Sequence, residues 1–101
     1  MKKLFLILLA SVLTLTVSAQ SYDEETGIRL FNNQQYKEAV PYLQRAAKAG
    51  SGRAQAALGQ MYLNGWGVSK NYQISMNMFK HAAESQESAG LFGIGLLYEK
   101  G

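Results

Sequence analysis

Side chains able to do acid–base or nucleophilic chemistry are few in this chain, and their spacing is poor. His81 is the only histidine, and there is no cysteine. A metal site of imidazole or thiolate ligands needs several of them to converge, so no metal is expected. A Ser-His-Asp relay would have to join His81 to Asp23, the only aspartate, and no nucleophile motif accompanies them. Glu84 and Glu87 are one helical turn apart but beside a turn, where solvated carboxylates are expected rather than an acid–base pair. His81 lies off the apolar stripe of its own segment and reads as a solvated surface residue. The chain is therefore expected not to be an enzyme and to carry no cofactor. Trp66, held between Gly65 and Gly67, is the side chain most suited to recognition. It either packs over a helix pair and shields its loop, or stands out as an aromatic anchor, since tryptophan is enriched at binding hot spots.

The frame around these residues is repetitive. Tyr36, Ala46-Ala47, Gly59, Tyr62 and Gly65 recur 36 positions later as Tyr72, Ala82-Ala83, Gly95, Tyr98 and Gly101. A fixed period of about 20–50 residues is the signature of stacked supersecondary units, and such arrays work mainly by binding. The apolar steps are three and four residues throughout, as on one face of a helix. They predict helices at about 22–33, 36–49, 53–64, 72–84 and 89–100, with no strand. Asn32-Asn33 is expected to end the first. Pro41 falls inside the second, where its missing N–H is tolerable in a first turn. Gly65 is placed for a left-handed helix end, and Asn71 for capping the next helix. Small residues at Gly27, Ala39, Ala46, Gly59, Ser75, Ala82 and Gly95 are expected to let helices approach, with Tyr62, Phe79 and Tyr98 filling the gaps between.

The first residues stand apart from this pattern. Met1-Lys2-Lys3 precedes an apolar run over 4–17, and Val17-Ser18-Ala19 puts small residues where a signal peptidase reads them. The run is shorter than the roughly 20 residues a spanning helix needs. Residues 1–19 are thus expected to be a bacterial-type signal peptide cleaved after Ala19, making the product periplasmic or secreted, with no stable membrane insertion after cleavage. No cysteine follows for lipid attachment. The formal charge of +3 largely belongs to this segment, for eight basic and seven acidic side chains remain beyond it. That balance leaves no basic footprint for nucleic acid.

The combination Ala54-x-x-x-Leu58-Gly59-x-x-Tyr62-x-x-Gly65-x-Gly67-Val68-x-x-x-Tyr72, followed by Phe79-x-x-Ala82-Ala83, resembles a Sel1-like repeat, a longer-looped relative of the tetratricopeptide repeat. Ile94-Gly95-x-x-Tyr98-x-x-Gly101 resembles the first half of another unit. Gly27, Tyr36, Ala39 and Ala46, with a shorter loop, resemble an ordinary tetratricopeptide unit. The resemblance implies an all-α, right-handed superhelix of antiparallel helix pairs over 20–101, with units at about 22–50 and 52–86 and an incomplete one at 88–101. Asn71 departs from the usual aspartate, Ser75 from alanine and Gln86 from glycine.

The resemblance further implies that the first helix of each unit lines a concave face. That would place Glu24, Ile28, Phe31 and Asn32, then Arg53, Ala56, Gln60, Leu63 and Asn64, then Phe92, Leu96, Glu99 and Lys100 along a groove for a peptide or protein partner. Arg53, Gln60, Leu63, Asn64, Trp66 and Phe92 are the leading candidates for contact. Phe31, Phe92 and Leu96 could equally be ordinary packing in so short an array. The alternative reading is a small cell-envelope regulator that inhibits an enzyme by occluding its site with the Trp66 loop. The last helix offers Leu91, Ile94, Leu97 and Tyr98 with no second helix to cover them. A longer array or self-association is therefore expected.

Overall fold

The computed structural model describes residues 21–85 and 88–100. The expected signal peptide, Gln86, Glu87 and Gly101 lie outside these. The described residues form five helices: α1 over 21–32, α2 Tyr36–Lys48, α3 Gly52–Asn64, α4 Tyr72–Glu84 and α5 Ser88–Lys100. Consecutive helices pack on one another from α2 to α5, and α3 also reaches α5.

Local chemistry sets the ends. Ser51 Oγ accepts the Ala54 N–H at 3.1 Å and Asn71 Oδ1 accepts the Ile74 N–H at 3.0 Å. Each satisfies a donor that a helix start leaves unpaired. Gly65 closes α3 in the left-handed conformation, as its place in the sequence predicts. Between α1 and α2 the positive φ falls on Gln34, at 62°, and not on Asn32 or Asn33. Pro41 also departs from expectation. α2 begins at Tyr36, so the proline sits in the second turn, on the exposed side. One helical hydrogen bond is given up there.

The core follows the helix stripes. Leu30, Ala39, Leu43, Ala46, Ala54, Ala57, Leu58 and Met61 form one buried cluster across the first two pairs. Leu63, Phe79 and Leu97 form a second, where α3, α4 and α5 meet. Glycine sets the approach distance within each pair. A Cβ on Gly27 would lie 2.7 Å from Leu43 Cδ2, and one on Gly59 would lie 2.6 Å from Phe79 Cε1. Leu43 and Phe79 are 36 residues apart, so the two pairs solve one packing problem with different side chains. Ser75, the polar departure, is fully buried, and its hydroxyl donates to the Gly59 carbonyl at 2.6 Å. A hydroxyl there is satisfied by the same close approach that the glycine permits.

Candidate functional site

α3 is the most enclosed of the five helices. Ala54 through Gly59, Met61 and Leu63 are all buried. Solvent reaches it chiefly along Arg53, Gln60 and Asn64, with Gln60 half-buried and the other two exposed. Steps of seven and four residues put these three on one line of the helix surface. Arg53 pairs with Glu24 of α1 at 3.6 Å, so this polar line runs beside α1. Asn64 turns back along it, its Nδ2 donating to the Gln60 carbonyl at 3.0 Å.

Leu63 was expected on the same surface and is not there. It is only 2% exposed, packed with Phe79 and Leu97. Ala56 is buried as well. The reason is that α3 is bounded by α2, α4 and α5, which leaves a strip too narrow for either side chain. On α5, Phe92 is 67% exposed, Leu96 half-buried, and Glu99 and Lys100 exposed. On α1, Glu24, Ile28 and Phe31 are half-buried and Asn32 exposed.

Trp66 combines both readings made of it. Its ring stacks on Tyr36, with centroids 4.8 Å apart and planes 18° apart, and Phe31 closes on both. It nevertheless keeps 37% exposure. Gly67 makes the docking possible. It has φ +72°, and a Cβ there would lie 2.8 Å from the Lys37 nitrogen. The loop after α3 therefore lies against the start of α2 and does not protrude.

Other expectations are corrected by the packing. Gly95 was expected to admit a neighbouring helix, but a Cβ there would meet nothing within 4 Å. Gly90 and Gly93 take that part on α5, against α4. Tyr98 fills no gap and is 74% exposed, and Leu91 is exposed too. Leu97 is buried and Ile94 half-buried, because they face the α3–α4 side. Tyr72 is exposed, with Lys70 Nζ 5.4 Å from its ring centre.

The titratable groups are arranged as surface pairs. His81 Nδ1 lies 3.7 Å from Glu84 Oε2, both well exposed. Arg45 donates through Nε and Nη2 to the two Asp23 carboxylate oxygens, each at 3.2 Å, which raises the guanidinium pKa above its ordinary value. His81 and Asp23 are thus engaged with different partners on different helices. Among the described residues no group of three or more histidines, aspartates or glutamates is placed to hold a metal, and no helix is long and apolar enough to cross a membrane.

A family model described as the Sel1 repeat matches residues 22–51 and again 52–86. The two matches cover the α1–α2 and α3–α4 pairs and more than half of the chain. No solved structure matches the chain.

Proposed function

The chain belongs to the Sel1 repeat family, whose repeats are generally protein-interaction modules and typically non-catalytic, and on that premise we propose that it is an exported adaptor binding a peptide or protein on the face lined by α1, α3 and α5. The observation carrying this reading is the polar line Arg53–Gln60–Asn64 on an otherwise buried helix. Amide side chains on a rigid helix can exchange hydrogen bonds with an extended backbone, and exposed aromatic neighbours such as Trp66 and Phe92 can seat side chains beside it. The occluding-loop alternative drew on a protruding Trp66, and the stacking on Tyr36 removes its motivation.

Export is part of the proposal. Cleavage after Ala19 follows from the small residues at Val17 and Ala19 behind a short apolar run. Mass spectrometry of the exported protein should find Gln20 at its amino terminus, and recovery of the Met1 form in membranes would refute this. Self-association through α5 is the second part, supported by Leu91, Phe92 and Tyr98 lying exposed on one helix. Sedimentation should then depend on concentration, and a monomer at every concentration would exclude it.

Partner binding is tested with the double substitution Gln60→Ala/Asn64→Ala. Stability should change by about 0.5 kcal/mol or less, as for surface positions, while capture of a partner from cell-envelope extract should fall. Capture undiminished by the double substitution would rule out this face.

A further inference from the structure

On a different surface from the Arg53–Gln60–Asn64 line, the end of α2, the turn after it, the start of α3 and the end of α4 enclose an open cavity of about 550 Å³. That volume is in the range of small-ligand sites. Its lining is divided by chemistry. Ala47, Leu58 and Met78 are apolar, Lys48 and His81 bring basic groups, and among the described residues no carboxylate lines it.

Gln55 is also in the wall. It is the one polar side chain in the buried run Ala54–Gly59, and it is only 9% exposed. Its Nε2 donates to the Ala47 carbonyl at 3.1 Å. Its Oε1 is buried and has no hydrogen-bond partner among the described residues. Leaving a buried acceptor unmatched costs on the order of 1–3 kcal/mol, and such atoms are rare enough to require a reason. The repeat itself does not require glutamine here, since the position 36 residues later is Leu91.

We propose that this cavity is a binding site for a peptide segment in which an apolar side chain adjoins a carboxylate. The apolar side chain lies against Ala47, Leu58 and Met78. The segment's N–H supplies the donor that Gln55 Oε1 lacks. The carboxylate sits at the rim beside Lys48, with His81 opposite. Glu84, 3.7 Å from His81, already draws on the imidazole, so Lys48 carries most of the charge recognition. Arg45, one turn before it, is committed to Asp23. The site is independent of the face proposed above and would stand if that face bound nothing.

N-acetyl-leucine is the smallest probe with all three features, and N-acetyl-leucinamide lacks only the charge. Methyl resonances of Ala47, Leu58 and Met78 should shift saturably as the acid is added to the folded chain, with the amide binding several-fold more weakly. Gln55→Leu, which installs the side chain found at Leu91, should weaken the acid about tenfold, the equivalent of one lost hydrogen bond of about 1.4 kcal/mol. Lys48→Ala, a surface change that leaves the core intact, should weaken the acid and leave the amide unaffected. It decides the matter even where Gln55→Leu loosens the fold. Shifts absent at millimolar acid, shifts centred on Gln60 and Asn64, or equal binding by the acid in wild type and Lys48→Ala would each overturn the proposal.

Discussion

α3 and α5 carry the same marker residues 36 positions apart, Gly59 and Tyr62 in one, Gly95 and Tyr98 in the other, yet their surroundings differ. Gly59 lies under the Phe79 ring, and Gly95 faces open space. Tyr62 is half-buried and Tyr98 exposed. Their shared side is treated alike: Met61 and Leu97, also 36 apart, are both buried. A first helix in this array thus has two packing sides. One faces the preceding pair, and α5 fills it with Gly90, Gly93 and Leu97. The other faces the helix that follows; α3 fills it with Gly59 against Phe79, as α1 does with Gly27 against Leu43, while Gly95 of α5 meets no neighbour among the described residues. Phe79 joins the two cases, because it lies against both Gly59 and Gly93.

The strongest way to break this comparison is Phe79→Ala. Removing a buried aromatic should cost about 3–5 kcal/mol, read as a shift in the denaturant midpoint. Because the ring contacts both helices, amide protection should fall in α3 and α5 together. Loss confined to α5 would mean that α3 does not depend on this contact.

A paired substitution sharpens the comparison further. Gly59→Ala forces a methyl into the Phe79 ring and should destabilise by about 1–3 kcal/mol. Gly95→Ala adds a methyl where nothing lies within 4 Å and should stabilise by about 0.5–1 kcal/mol through helix propensity. Thermal unfolding of the two variants should therefore move in opposite directions. The same sign in both would mean that the two glycines have equivalent surroundings after all. Ser75→Ala should cost about 1 kcal/mol, for the hydrogen bond to Gly59. A neutral result would show that α3 and α4 hold their register by apolar packing alone.

Helix positions were legible because they depend on local signals. Gly65 and Asn71 mark the end of α3 and the start of α4 whatever surrounds them. The 36-residue recurrence made the pairing legible too. Burial of particular faces was not, since it depends on how many neighbours a helix has. Leu63 is at a position that an ordinary two-neighbour helix would expose, but α3 packs against α2, α4 and α5 and meets α1 through Arg53–Glu24. Gly95 has the same sequence signature as Gly59 but not the neighbour. The Ser75 hydroxyl looked like a defect in a small-residue position because its acceptor, the Gly59 carbonyl, is 16 residues away in sequence. Gln55 falls within an apolar run. Its singularity there was the available signal, and its unmatched oxygen emerges only from three-dimensional packing. Pro41 was misread by turn and not by boundary: with the helix start at Tyr36, as expected, the proline is the sixth residue and already in the second turn.

The chain's single tryptophan belongs to the α3–α4 unit, while the ring it stacks on, Tyr36, belongs to the α1–α2 unit. Its fluorescence therefore reports the junction between units, whereas circular dichroism sums over every helix. In a linear array, cooperativity resides in such junctions. Coincident unfolding curves from the two signals would mark the units as one thermodynamic body. An earlier fluorescence change would mark a protein whose units come apart before they melt.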